Sequence, residues 1–319
     1  MMNKQTQKTI SKWADSLEEI VEIQLVINNQ KVSDILRDFC NKFSDTTSKI
    51  NITTKKDGNI KEPYIKVNDN LIFKAVPEEK MLETFLDTLT FDKNKISEKV
   101  NENLINFNLP VTIKIYISSF CPYCPKVVSD VSQLAFTEKN IRLEVIDAGL
   151  FTEIANTDKV VSAPTVIYNE NFRWTGTVKP EDIAEVIGNT KPENLSMAAL
   201  ITLLETGKAS LISNLMTESG LIFPAFSKLL TYEKWPIRLG AMVVMEELLD
   251  KVPTLAETVI SELWINFSTY EDPVKGDILY ITGETGNHIF IERVNQILNG
   301  DYPDEIKEAA EEAMENLQV

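Results

Sequence analysis

The sequence predicts an α/β protein in which one unit is written twice, followed by an all-α domain. Three observations carry this. Strand-like runs and amphipathic helical runs recur in one order over residues 1–92 and again over 96–188. Two prolines that open strands, Pro63 and Pro164, stand 101 residues apart at the same station of that order. From residue 195 onward the strand signal fades and helical periodicity takes over.

In the first copy, TISKWADSLEEI is expected to be a helix, because its apolar residues recur at helical spacing, and VEIQLVI (21–27) a strand, because it is β-branched and apolar. KVSDILRDFCNKF returns to helical period, and KINITTK is a strand. EPYIKV is a strand entered through Glu62-Pro63, NLIFKAV follows it, and EEKMLETFLDTL is a closing helix. The second copy opens on the short helix ISEKVNENLINF. VTIKIYI (111–117) follows Pro110 and is a strand, and CPYCPKVVSDVSQLAF is helical from about Pro122, since proline suits a first helical turn. IRLEVID (141–147) is a strand, FTEIANTDK a short polar helix, and VVSAPTVIYN a strand entered through Ala163-Pro164. FRWTGT is a fourth strand or turn and KPEDIAEVI the last helix. The expected domains are 1–94, 95–190 and 195–319, with the turn-rich GNTKPENLS (188–196) before the third.

Charge divides the chain in the same way. Residues 1–95 are balanced, 96–192 carry net −3 and 193–319 carry net −13, out of −16 in all. Such an acidic chain repels nucleic acid and anionic membrane, so neither is expected as a partner. No run approaches about 18 consecutive apolar residues, and the N-terminal stretch lacks an apolar leader core. The expected compartment is the cytoplasm. Three cysteines cannot build a disulfide framework, and a C-x-x-C in such a chain points to redox or metal chemistry.

That pair is Cys121 and Cys124, in SFCPYCP. A zinc site wants two more Cys or His ligands, and Cys40 and His288 lie in other domains, so redox chemistry is the better reading and no metal is expected. A thiol attacks a disulfide as thiolate, and a free cysteine with pKa about 8.5 is mostly protonated at neutral pH. A helix N-terminus presents unpaired N–H groups and a positive dipole end to the first cysteine, and the second lies one turn away, within reach of a mixed disulfide. Cys121 is therefore assigned as nucleophile and Cys124 as resolving thiol. Pro122 and Tyr123 set the turn, and Phe120 gives an apolar shoulder. The corresponding turn of the first copy reads NNQK, without sulfur. Cys40 is expected to be a buried core thiol, Phe172 and Trp174 sheet packing, His288 a surface residue, and GETG (283–286) a turn rather than a phosphate loop.

On C-P-Y-C, the strand order and the Ala163-Pro164-Thr165 station, the central segment resembles the thioredoxin superfamily. The tandem layout is similar to the N-terminal region of alkyl hydroperoxide reductase flavoproteins and to archaeal protein disulfide oxidoreductases. The resemblance covers roughly residues 5–190 and implies tandem thioredoxin-like folds. It also implies a cis Pro164 packed against the dithiol, and substrate binding by Phe120, Pro122, Tyr123, Ala163, Pro164 and Thr165. This chain departs from the family at Ile115, where thioredoxins place a buried acid. It departs again at Ser118-Ser119 and FRWTGT, which argue against a glutathione site.

In the third domain, Pro236, Pro273 and Pro303 recur 37 and 30 residues apart at helix starts, two of them followed by Arg238 and Lys275. The spacing resembles a short array of HEAT-type helical hairpins. With no G-x-G-x-x-G loop, no nucleotide cofactor is expected. The leading function is thiol–disulfide exchange on protein disulfides, with no bound cofactor. One alternative is an electron shuttle between a flavin-dependent reductase and a peroxidase. Another is a redox-sensing binding protein that holds a client on the acidic helical domain.

Overall fold

Residue preferences and cross-strand pairing explain the sheet that organises the first part of the molecule. The structure, a computed structural model, describes residues 3–105, 107–169 and 172–318. The chain divides into two compact units, residues 1–190 and 191–319. The first unit runs α1 (Lys4–Ala14), β1 (Val21–Ile27), α2 (Lys31–Ser44), β2 (Ile50–Lys56), β3 (Tyr64–Lys66), β4 (Leu71–Lys74) and α3 (Lys80–Leu89). It continues through α4 (Glu98–Leu104), β5 (Val111–Ile117), α5 (Cys124–Thr137), β6 (Ile141–Asp147) and α6 (Thr152–Thr157). β7 (Thr165–Tyr168), β8 (Phe172–Thr175) and α7 (Pro180–Gly188) close it.

The eight strands form one mixed sheet in the order β2-β1-β3-β4-β6-β5-β7-β8. Its halves repeat the same pairing. β1 lies parallel to β2 and antiparallel to β3, as β5 lies parallel to β6 and antiparallel to β7. The halves meet where β4 runs parallel to β6, with Leu71 opposite Leu143 and Phe73 opposite Val145. Asn70 extends this seam: its side chain donates to the carbonyls of Glu138 and Ile141, and its own carbonyl accepts from Leu143 N–H at 2.6 Å.

Alternate residues of the central strands, among them Leu25, Phe73, Ile113, Ile115, Leu143 and Val145, enter one core that runs through both halves. Helix residues Phe39, Phe43 and Phe85 fill it on one side of the seam and Val127, Val128 and Val131 on the other. On the opposite face Tyr116, Ile146 and Ile167 pack against Phe151 and Ala155 around α6.

Two local expectations shift. The first helix covers residues 4–14 rather than 9–20, because Asn3 accepts the Thr6 N–H at 2.8 Å and starts the helix early. The first half also has no helix at the station of α6: residues 57–63 are a short turn, containing Gly58 and Pro63, too short for one.

The second unit contains α8 (Met197–Glu205), α9 (Ala209–Ser219), α10 (Trp235–Lys251), α11 (Pro253–Ile265), α12 (Asp272–Gly283), α13 (Ile291–Leu298) and α14 (Asp304–Leu317), with 3-10 turns before α10, α12 and α13. Pro236 and Pro273 lie in first turns and Pro303 caps α14. Arg238 is buried, with Nε 2.6 Å from Asp277 Oδ2, and ties α10 to α12. At Gly283 a Cβ would come within 2.9 Å of Ala313 Cα, so only glycine lets α12 and α14 approach this closely. His288 is exposed in a 3-10 turn. No described helix is long and apolar enough to cross a membrane.

The seam carries a buried ionic cluster. Lys74 Nζ lies 2.9 Å from Glu144 Oε2 and 3.1 Å from Glu62 Oε2, and Arg142 Nε lies 3.2 Å from Glu144 Oε1. Burial opposes charge on Lys74, but Glu144 and Glu62 outweigh it and raise the ammonium pKa. Burial likewise opposes charge on Glu144, and Lys74 and Arg142 outweigh it to hold the carboxyl below the usual range. Glu144 therefore contributes stability that is present above the ordinary carboxyl pKa and lost as pH falls through its lowered value. The contribution of Lys74 is lost only as pH rises through its raised one. Substituting Lys74→Met leaves Glu144 buried without its main partner and should cost about 3–5 kcal/mol in denaturant unfolding at neutral pH. Lys66→Met, whose partner Asp69 is 90% exposed, should cost less than about 1 kcal/mol. Equal losses would mean that the seam does not depend on its ion pairs.

Candidate active site

β5 delivers its C-terminal end, Ile117, to a short loop whose turn closes when Cys121 N–H donates to the Ser118 carbonyl at 3.0 Å. Cys121 and Cys124 are disulfide-bonded, with Cα atoms 5.5 Å apart. The helix that follows begins at Cys124, not near Pro122, and the first-turn proline is Pro125. The first helical hydrogen bond, from Val127 N–H to the Tyr123 carbonyl, can form only from there, because the preceding residues are bent to close the disulfide ring. Cys124 N–H, in the first turn of α5, donates to Cys121 Sγ at 3.0 Å. An N–H and the positive end of a helix together stabilise negative charge on that sulfur when the disulfide opens.

The two sulfurs sit in different surroundings. Cys124 is fully buried among core residues, whereas Cys121 keeps 8% exposure at the mouth of a cleft. Phe120 is 89% and Tyr123 63% exposed, and Pro122 is exposed as well, so these three form the outer rim. Across from the dithiol, Cys121 Sγ lies 3.6 Å from the Ala163 carbonyl oxygen. The Ala163–Pro164 peptide bond is cis, the only one among the described residues. Ala163 is half-buried and Pro164 buried. Thr165 is buried too, its hydroxyl donating to the Ser162 carbonyl at 2.8 Å. The expected site residues are thus brought together around one disulfide, with Thr165 turned to loop bracing. Ile115 stands in the core, where no acid approaches Cys124 from β5. Phe172 and Trp174 stack on each other along β8, 6.5 Å between centroids.

The cleft itself, about 380 Å³, has a wall that motif reading missed. Val76, Glu78, Glu79, Lys80 and Met81 come from the half without cysteines in its turn, and Asp147, Gly149 and Leu150 from the loop after β6. Asp147 is held by the N–H groups of Gly149 and Leu150 and by Ser119 Oγ. Glu79 holds φ +49°, an uncommon value for a residue with a side chain, just before α3 begins. The helices touch as well: Thr84 Oγ1 of α3 donates to the Pro125 carbonyl of α5 at 3.4 Å. The signal for this wall was the parallel β4–β6 pairing, since residues following adjacent parallel strands gather at one sheet end.

Cys40, on α2, is 2% exposed, and burial pushes its thiol pKa up to about 12. It is a buried core residue of the first half.

Comparison with known proteins agrees with this geometry. Residues 111–188 match the thioredoxin domain family, so the chain contains a thioredoxin-like domain. A protein named NADH dehydrogenase from Ferdinandcohnia aciditolerans is 21% identical over 197 residues, 59% of this chain and 38% of its own length. The F subunit of the alkyl hydroperoxide reductase of Staphylococcus epidermidis is 20% identical over 199 residues, 60% of this chain and 38% of its own length. The chain thus spans about two fifths of the length of these curated relatives. Among solved structures, the N-terminal domain of the alkyl hydroperoxide reductase AhpF of Enterococcus faecalis superposes with TM-score 0.51 at 17% identity, covering 59% of this chain and all of that one. A protein disulfide oxidoreductase from Aeropyrum pernix gives TM-score 0.52 at 14% identity, covering 58% of this chain and 92% of that one. At such identities the two structures establish the fold.

The burial differences set an order of thiol reactivity. At pH 8 the oxidised, folded protein should give no alkylated cysteine, and unfolding should release one per chain, Cys40. After reduction, peptide mapping should find Cys121 labelled well before Cys124. Labelling of Cys40 in the folded protein, or of Cys124 ahead of Cys121, would contradict the placement described above.

Proposed function

We propose that the protein is a thiol–disulfide oxidoreductase acting on protein disulfides through Cys121 and Cys124. The observation that carries this is the Cys121–Cys124 bond at the start of α5, with Cys121 at an open cleft and 3.6 Å from the Ala163 carbonyl. In the reducing direction, the Cys121 thiolate attacks one substrate sulfur, the substrate S–S bond breaks, and the departing sulfur takes up a proton. Cys124, deprotonated in turn, attacks Cys121 Sγ, re-forms the Cys121–Cys124 bond and releases the second substrate sulfur, which is then protonated. The substrate gains two electrons and the dithiol loses two, so a thiol or a flavin-dependent reductase must return them. The oxidising direction runs the same bonds in reverse. An extended substrate pairs its backbone with that of Ala163, while Phe120, Pro122 and Tyr123 flank the sulfur from outside.

A second reading, an electron shuttle between a flavin-dependent reductase and a peroxidase, is favoured by the likeness to the N-terminal domain of the alkyl hydroperoxide reductase AhpF. The helical unit we read as a HEAT-like array whose acidity, net −13 over residues 193–319, suits docking of a basic protein client. A redox-sensing adaptor role would show as client binding that persists without either thiol.

The test uses the full chain reduced with dithiothreitol and then freed of it. It should reduce a disulfide-bonded peptide stoichiometrically. Cys121→Ser should abolish this, and Cys124→Ser should accumulate a mixed disulfide with the peptide, visible by mass spectrometry. Transfer to a purified peroxidase disulfide at least about a hundredfold faster than to the peptide would select the shuttle reading. Undiminished reduction by Cys121→Ser would sink both.

A further inference from the structure

Residues 158–164, between α6 and β7, bring Ala163 against Cys121 and have no regular secondary structure of their own. Side chains fix their position. Asp158 ends α6, its N–H bonded to the Ile154 carbonyl. Its carboxylate accepts from Lys114 Nζ at 2.7 Å and from the Tyr116 hydroxyl through the same oxygen. Arg173 of β8 donates to the Asp158 carbonyl at 2.5 Å and the Lys159 carbonyl at 3.3 Å, where the chain turns through φ +52° at Lys159. At the far end, Thr165 Oγ1 donates to the Ser162 carbonyl and Gly176 N–H to the Pro164 carbonyl at 2.9 Å. Between these anchors Val161 is 94% exposed.

The origin of the anchors matters. Lys114 and Tyr116 stand on β5, seven and five residues before Cys121, on the sheet face away from the main core. The strand that delivers the dithiol therefore also grips the loop that delivers Ala163. The grip is partly screened from water: the side chains of Lys114 and Asp158 are 30% and 17% exposed and Tyr116 is fully buried. Charge-assisted hydrogen bonds in such surroundings are strong and directional. None of the three residues lines the cleft at Cys121.

We propose that Lys114, Tyr116 and Asp158 are positioning residues for peptide capture. They set the register between the Ala163 backbone and Cys121, so that an extended chain can pair with the first while its disulfide meets the second. The inference rests on the oxidoreductase reading given above. Its distinguishing consequence concerns substrate size: a small disulfide needs access to Cys121 alone, whereas a peptide disulfide also needs Ala163 in place.

The experiment compares second-order rates of the reduced full chain with two oxidants, hydroxyethyl disulfide and an extended peptide carrying one disulfide. Tyr116→Phe and Asp158→Asn should slow the peptide reaction roughly three- to tenfold, the scale of one hydrogen bond's net contribution. They should leave the hydroxyethyl disulfide rate and the dithiol reduction potential unchanged. Lys114→Arg, which keeps the ion pair, should retain the wild-type ratio. Tyr116→Phe keeps the buried ring, so it reads the hydroxyl bond without emptying the space. Equal losses on both oxidants, an altered potential, or no loss on either would overturn the positioning role. A wild-type protein inert to both oxidants would instead bring down the oxidoreductase reading, and the inference with it.

Discussion

The parallel pairing of β4 with β6 is the constraint on which the first unit depends. Each half brings four strands in the same order, and this one pairing turns them into a single sheet whose main core runs through both halves. It also decides where the dithiol cleft can be. Because β4 runs beside β6, the chain leaving β4 at Val76 emerges next to the loop after β6 and faces Cys121. The half without a dithiol thus supplies a wall of the cleft that the other half opens. Lys74, Glu144 and Glu62 reinforce the same seam with charges that are buried and mutually compensated.

The two faces of the sheet divide the remaining work. One face carries the main core and holds α5, whose first turn presents an N–H to Cys121 Sγ and hides Cys124. The other face is mixed: Glu144 stands opposite Lys114 and Ile167 opposite Arg173, beside the apolar cluster of Tyr116, Ile146 and Phe151. The dithiol and the bracing of the 158–164 loop are therefore kept on opposite sides of β5. Neither disturbs the hydrophobic packing of the other.

Much of the fold was legible in the residues. β1, β5 and β6 follow from β-branched, apolar runs, and the dithiol, its rim and the proline station follow from C-P-Y-C and the repeat. Less visible were features set by one side chain or by distant pairing. The start of α1 depends on Asn3 accepting a single N–H, and the start of α5 on a ring closed three residues earlier. Glu78, Glu79 and Met81 belong to the cleft only through a contact between strands about 70 residues apart, which no local periodicity encodes. Lys114 and Asp158 look like ordinary surface charges in sequence and become partners only through the turn after α6.

Counting strand borders shows what the seam removes. Two separate four-stranded sheets would have four unpaired margins, and the joined sheet has two, β2 and β8. The margins that vanish are β4, buried at every position, and β6, buried at five of seven. Those that stay open are polar: β2 ends in exposed lysines, and β8 is largely exposed with Arg173 on it. Open strand margins are templates for unwanted pairing between molecules, and lysine and arginine discourage it. The duplication thus hides the two most apolar margins against each other.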